Sequence, residues 1–262
     1  MRYILHSMRI LLRSATQYRA SFLLQVLGQV VMTAGDLMAV LVLLDRFTHM
    51  GQWSPAEVLF FFGVMQISFS VVECVGRGIS TFASYVGSGE FDTFLLRPKP
   101  LFVQVLCARL DPRRVGTTML GIGALIVSSN ALKLVWTGEK ALLLLLSLTG
   151  SILLLMGLFT IEATFSFFSV RSIEMVNVLT YGGRQTCQYP VDLYPRPIRL
   201  LFSWVAPFAL CMHVPVSVIL GRPMMNAAPW LAALAPLSGA VFFLIVIRLW
   251  YWGVRHYRST GS

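Results

Sequence analysis

The chain has 262 residues, of which 56% are hydrophobic and 12% are charged, and its formal net charge is +10. Soluble domains carry about 25% charged residues, so the composition excludes an ordinary soluble protein and predicts an all-α polytopic membrane protein with one transmembrane domain, residues 1–262. The positive charge does not indicate a nucleic-acid partner, because the Lys and Arg residues cluster beside the ends of apolar runs, where they act as topology signals.

The N-terminal segment, residues 1–20, has the pattern of an amphipathic helix. Apolar residues occupy one arc of the helical wheel, and Arg2, Arg9 and Arg13 form a stripe beside it. Such a helix lies in the headgroup layer of a membrane. We interpret it as an interfacial anchor that also supports its neighbours.

The first two membrane spans are predicted over residues 21–44 and 56–76. Asp36 lies within the first span, where a carboxylate is costly unless it faces protein or water. Two interpretations are open for this residue. Either it contacts a substrate or a second subunit, or it is a neutral or paired acid near the outer end of the helix.

Residues 84–100 form an amphipathic motif after the second span. Two glycines allow the chain to turn sharply, two acids suit the positive end of a helix, apolar residues three and four apart share one face, and a proline ends the helix. The pattern predicts a short helix at the membrane surface that is presented to a partner. The residues of the motif are Gly87, Gly89, Glu90, Phe91, Asp92, Phe94, Leu95, Leu96, Arg97 and Pro98.

Hydropathy predicts further spans over residues 115–132, 141–170 and 228–250. It also favours a span over 197–220 and treats 172–195 as a polar loop. Lys and Arg are in excess on the side of the membrane that holds the N-terminus, so both termini are predicted to be cytoplasmic.

Three motifs, in this order, resemble those of a known family. With the length and hydropathy, they make the chain similar to the permease subunits of type-2 ATP-binding cassette (ABC) exporters, in the bacterial branch that has no fused ATPase. The motifs are Gly89-x-Phe91-Asp92-x-x-Leu95-Leu96-Arg97-Pro98, Tyr189-Pro190-x-x-x-Tyr194-Pro195 and Trp252-Gly253-x-x-x-Tyr257-x-Ser259-x-Gly261.

This resemblance implies a fold with six transmembrane helices, an interfacial N-terminal helix and a cytoplasmic coupling helix between helices 2 and 3. It also implies a weakly apolar fifth helix over 172–191 at a dimer interface. Residues 195–220 would then form a re-entrant hairpin in the outer leaflet before helix 6. The prolines of this segment favour the broken form, because an interrupted helix must be shielded by protein. They are Pro195, Pro197, Pro207 and Pro215.

The resemblance further implies an exporter subunit in the bacterial cytoplasmic membrane. Two permease chains, identical or related sisters, would each dock through the 84–100 motif on an ABC ATPase, which binds ATP and Mg. The substrate would be amphipathic or cationic: a drug, toxin, peptide or lipid. The candidate residues for a substrate cavity or a subunit interface are Asp36, Glu174, Asn177, Tyr181 and Tyr189.

No residue pattern predicts catalysis by the chain itself. Its three lysines, Lys99, Lys133 and Lys140, all lie outside any Gly-x-x-x-x-Gly-Lys-Ser/Thr phosphate loop, and its histidines lack partners at metal-binding spacing. We therefore expect a non-catalytic subunit that binds no metal or cofactor. The alternative is a secondary transporter driven by an ion gradient, which would need paired intramembrane acids or repeated halves that the sequence does not display.

Overall fold

The computed structural model describes residues 19–46, 52–168, 173–222 and 229–257, and in these ranges the regular structure is helical. The all-α prediction is therefore confirmed. The predicted interfacial helix, residues 1–20, lies almost wholly outside the described residues. The α-helices are α1 (Arg19–Arg46), α2 (Pro55–Val75), α3 (Arg77–Ser80), α4 (Phe82–Gly87), α5 (Phe91–Leu95), α6 (Leu101–Leu106), α7 (Arg114–Ala131), α8 (Gly138–Phe165), α9 (Ile173–Cys187), α10 (Arg196–Leu200), α11 (Val214–Ile219), α12 (Pro229–Leu234) and α13 (Leu237–His256).

The described residues contain four candidate membrane spans, or five if the bent pair over 196–219 is one span, so the layout of six transmembrane helices stays a prediction. Among the described residues, the segments long and apolar enough to cross a membrane on their own are Ala20–Ala39, Pro55–Val75, Gly138–Phe165 and Trp230–His256. A multi-pass membrane protein is thus confirmed. Helices α7 and α9 fall outside this set. Helix α7 begins with an arginine and ends with serines and an asparagine, and α9 has only 15 residues.

Helix α2 occupies the centre of the fold. In its membrane-spanning window 78% of the residues are buried, against 6% in α1. Its start is fixed by a capping box, in which Ser54 and Glu57 each bond to the backbone of the other, with Pro55 in the first turn. It crosses α7 at close range, since a Cβ on Gly63 would lie 3.0 Å from the carbonyl oxygen of Gly121.

The segment over 195–220 is broken, as predicted. Arg196–Val205 and Ala209–Ile219 meet at an angle of 84°. Both arms include a π-helical stretch, Leu201–Val205 and Ala209–His213. Pro207 lies at the bend, where its missing N–H and fixed φ prevent the helix from continuing.

Candidate functional site

A buried carboxylate lies where α2, α7 and α9 meet. The Glu73 side chain is fully buried, and its Oε1 accepts hydrogen bonds from Arg77 Nη1 at 3.2 Å and from the Tyr181 hydroxyl at 3.2 Å. Its Oε2 forms an ion pair with Arg114. An isolated charge at this depth would be very costly, and the ion pairs with the two arginines offset that cost.

A second ion pair joins α1 to α9. Arg184 Nη2 lies 3.1 Å from Asp36 Oδ2 and 3.3 Å from Gln66 Oε1. The guanidinium carbon lies 4.6 Å from the centroid of the Phe69 ring, in cation–π geometry. Asp36 is thus a paired acid, which agrees with one of the two interpretations open from the sequence and leaves the other open.

Glu162 on α8 faces α9. It is 8% exposed. With the Asn177 amide oriented to donate, its nitrogen lies 3.2 and 3.3 Å from the two carboxylate oxygens of Glu162. Asn177 and Tyr181 are one turn apart on α9, so this helix contacts both Glu162 and Glu73.

Three aromatic rings fill the space between these charged groups. The ring centroids of Phe69, Phe159 and Tyr181 are 5.8 to 6.1 Å apart. Both phenylalanines are buried, whereas Tyr181 is 40% exposed. The cluster therefore has an open side along α9, where Tyr181 and Val178 reach the surface.

The Gly87–Pro98 motif places its phenylalanines inside the protein. Phe91 is fully buried, with its ring in contact with Phe82, Phe167 and Tyr257, and Phe94 is 8% exposed. These two residues therefore hold the motif to the rest of the protein, and their predicted role in coupling to a partner stays a prediction. Their shared face turns inward because the aromatic residues of α4, α13 and the end of α8 offer it a larger apolar surface than water does.

The outward side of the same motif is formed by the residues that follow. Leu95 is 44% exposed and Leu96 is 86% exposed, and Arg97 beside them is exposed too. Gly89 makes the predicted sharp turn with φ +72°, a value that glycine adopts without strain. The motif is a turn and a short helix, anchored by its phenylalanines and exposing its leucines.

Several backbone contacts attach this motif to the membrane helices. A Cβ on Gly78 would collide with the carbonyl of Val105, so α3 and α6 touch backbone to backbone. The Asp111 amide donates to the Cys74 carbonyl at 3.0 Å. Gln104 Nε2 donates to the carbonyl of Lys99 at 2.8 Å. The motif, the end of α2 and the start of α7 thus form one connected unit.

A family model described as ABC-2 family transporter protein matches residues 30–261. The chain belongs to the ABC-2 transporter family. This family forms the membrane component of transporters, and the match includes all three motifs noted in the sequence. A comparison with curated proteins and one with solved structures found no match.

In this ABC-2 family protein, three of the five candidate cavity residues come together. Asp36, Asn177 and Tyr181 belong to the polar cluster, while Tyr189 packs against the apolar core. Glu174 lies within α9, and its side chain is outside the described residues. Contact of these residues with a substrate remains a prediction.

Sequence reasoning missed Glu73, Arg114 and Arg184 as members of this cluster. The available signal was the presence of opposite charges inside or at the ends of the helices. Two acids lie on α2 and α8, and two arginines lie on α7 and α9. Hydropathy treated Arg184 as part of a loop. The pattern was not decisive, because pairing depends on the relative depth of the helices.

A further cluster ties the start of α2 to the broken segment of the ABC-2 fold. Trp53 Nε1 donates to both oxygens of Asp192, at 3.0 and 2.9 Å. Arg222 Nε lies 2.7 Å from Glu57 Oε1. His213 accepts a hydrogen bond at Nδ1 from the Val191 amide and stacks on Phe61, as expected for a packing histidine.

At the other end of the protein, Asp111 and Arg113 form a forked ion pair between α6 and α7. Arg113 Nε and Nη2 lie 2.5 and 2.9 Å from the two carboxylate oxygens. Burial acts to raise the pKa of Asp111, but the hydrogen bond from Arg113 and the charges of Arg113, Arg114 and Arg77 outweigh it and hold this pKa below its usual value. The pair fixes the turn before α7.

Proposed function

We propose that this chain is the permease subunit of an ATP-driven exporter in the bacterial cytoplasmic membrane. It would move an amphipathic or cationic substrate outward, using a separate ATPase subunit that binds ATP and Mg. The observation that carries the proposal is the pair of exposed leucines, Leu95 and Leu96, beside Arg97 on a motif anchored in the membrane domain. Exposed apolar side chains next to a cation suit a protein partner.

The attachment of this motif gives the docking surface a way to act on the membrane helices. Arg77 follows α2 directly and bonds to Glu73, and Glu73 bonds to Tyr181 on α9. In the proposal, the ATPase binds Leu95 and Leu96, and its movement on ATP binding reaches α9 through these contacts. A movement of this kind can be transmitted through packed side chains that have only two discrete arrangements, because such groups shift together.

A second permease chain, identical or a related sister, completes the proposed assembly. At the open side of α9, Asp36 of α1 is 38% exposed and its partner Arg184 is 16% exposed, so charged groups reach the surface within a membrane span. Membrane lipid cannot satisfy these groups, so α1 and α9 are proposed to face the partner permease and a cavity between the two chains. Transport would take place in this cavity, with both termini of each chain in the cytoplasm.

The alternative is a secondary transporter driven by an ion gradient. One observation favours it: Glu73 and Glu162 contact Tyr181 and Asn177, which lie one turn apart on α9. Paired intramembrane acids are typical of proton-coupled transport. The two arginines on Glu73 weigh against this role, because its carboxylate is already engaged in two ion pairs.

The test is a pull-down of the tagged chain from native membranes in mild detergent, with partners identified by mass. We expect an ABC ATPase, with or without a second permease, and we expect Leu96→Asp to lose it while still inserting in the membrane. Val135→Asp is the matched control, because Val135 is 74% exposed in the loop after α7. If no ATPase is recovered with the unaltered chain at any salt or nucleotide condition, the secondary transporter is favoured.

A further inference from the structure

We propose that the substrate class is an organic cation, and that its charge is bound by the free carboxylate oxygen of Asp36 at the open side between α1 and α9. This inference rests on the proposed function, since it names the substrate of that transporter. The two members of the Asp36–Arg184 ion pair are not equally accessible. Cation binding is measured on the permease without its ATPase, so a failure of this inference can be distinguished from a failure of the proposed function.

The carboxylate is the accessible half of the pair. The Asp36 side chain is 38% exposed and the Arg184 side chain 16% exposed. Arg184 binds Oδ2 of Asp36, and Oδ1 has no hydrogen-bond partner among the described residues. A molecule that approaches from this side therefore meets an acceptor oxygen with negative charge, in a region where water is scarce and such an oxygen is costly to leave unpaired.

The site already holds a cation, which is the Arg184 guanidinium. This group lies between Asp36 and Gln66 and covers one face of Phe69 at 4.6 Å. A carboxylate, an amide oxygen and an aromatic face are the groups that bind organic cations. Arg184 is thus a built-in competitor, and a substrate cation would share or displace its contact with Asp36.

The surrounding surface suits an organic cation rather than a metal ion. Tyr181 and Val178 precede Arg184 on α9 by three and six residues and are 40% and 66% exposed, so α9 exposes aromatic and apolar surface near the ion pair. No group of three or more His, Cys, Asp or Glu that could hold a metal ion occurs in the part of the chain that the structure describes. One carboxylate beside apolar surface matches a large, weakly hydrated cation.

The probe is tetraphenylphosphonium, compared with tetraphenylborate, which has the same shape and the opposite charge. Binding is measured by equilibrium dialysis against the purified full chain in phosphatidylcholine nanodiscs, with empty nanodiscs subtracted. We expect the cation to bind and the anion not to bind. Equal binding of the two ions would overturn the inference, since shape rather than charge would then be recognised.

Variants assign the binding to Asp36. Asp36→Asn should weaken tetraphenylphosphonium binding about tenfold or more, the usual loss for one charge-assisted contact, and Asp36→Glu should retain most of it. Arg184→Gln should bind the cation more tightly, because the resident competitor is gone. Glu139→Gln, at an exposed acid at the start of α8, is the control of equal charge change.

A structural role for the pair predicts a different pattern. If Asp36 only holds α1 to α9 or to a second permease chain, Asp36→Asn and Arg184→Gln should both lower binding together with the dimer fraction, and the double variant should recover it. The double variant also guards against misfolding, because it leaves no unpaired charge. Recovery of wild-type affinity in the double variant, or unchanged affinity in Asp36→Asn, would overturn the inference.

An ATPase in the pull-down without cation binding would reject this inference alone, and cation binding without an ATPase would reject the coupling alone.

Discussion

The hydroxyl of Tyr181 on α9 donates a 3.2 Å hydrogen bond to the fully buried carboxylate of Glu73 at the end of α2. Arg77, the first residue after α2 and its Gly76 cap, bonds to the same oxygen. The Glu73 carboxylate therefore links α2, which precedes the Gly87–Pro98 motif in the chain, to α9 at the open side of the cluster.

Tyr181→Phe removes the link to α9 and leaves both arginines on Glu73. We expect a loss of stability of about 1 kcal/mol, typical for one hydrogen bond, and a larger fall in transport than in ATPase recovery. The measurement is ATP hydrolysed per substrate moved in reconstituted vesicles. Tyr251→Phe, on the exposed side of α13, is the control. An unchanged ratio would show that the bond only supports packing.

Glu73→Gln leaves Arg77 and Arg114 without the carboxylate they share. Removing one partner of a buried ion pair lowers the free energy of unfolding by about 3–5 kcal/mol, so we expect a clear drop in Tm in detergent and a lower yield of protein. The matched change Glu139→Gln, at an exposed acid, should leave Tm unchanged. A Tm equal to that of the control would mean that the arginines find other partners.

Phe91 and Leu96 belong to one motif but have opposite environments. Phe91→Ala should cost about 3–5 kcal/mol, because a fully buried ring is lost from an aromatic cluster. Leu96→Ala should change the free energy of unfolding by no more than about 0.5 kcal/mol and lower only ATPase recovery. Thermal unfolding followed by fluorescence, with a parallel pull-down, separates the two effects. If Phe91→Ala instead lowered ATPase recovery and left Tm unchanged, Phe91 would have to leave its buried position when the partner binds.

The Asp111–Arg113 pair predicts a defined pH dependence. The pKa of Asp111 is lowered in the folded protein, so its contribution to stability is full above the unfolded value of about 4 and is lost as the pH falls through the folded value. The Tm difference between the unaltered chain and Asp111→Asn should be constant from pH 7 to pH 5 and should shrink below about pH 4. A difference that shrinks near pH 6 would indicate a histidine instead.

Local sequence patterns predicted the long apolar helices and favoured a break within 195–220, since these features depend on residues close in the chain. Hydropathy alone treated the region of α9 as a loop. Ser54 and Glu57 begin α2, and Pro207 bends the segment before α11. The direction of Phe91 could not be predicted, because a helix of five residues has no face of its own until neighbours pack on it. The pairing of Asp36 with Arg184, 148 residues apart, depends on the depth at which α1 and α9 cross, which sequence periodicity does not contain.

The two ends of α2 are both fastened, and its middle is pressed against α7. Trp53 and Glu57 bind Asp192 and Arg222 at one end, Glu73 binds its arginines at the other, and Gly63 touches Gly121 between them. A helix of 21 residues is about 31 Å long and stiff. Helix α2 would therefore tilt as a rod about the point where Gly63 crosses Gly121. A sideways movement of one end would then move the other end in the opposite direction.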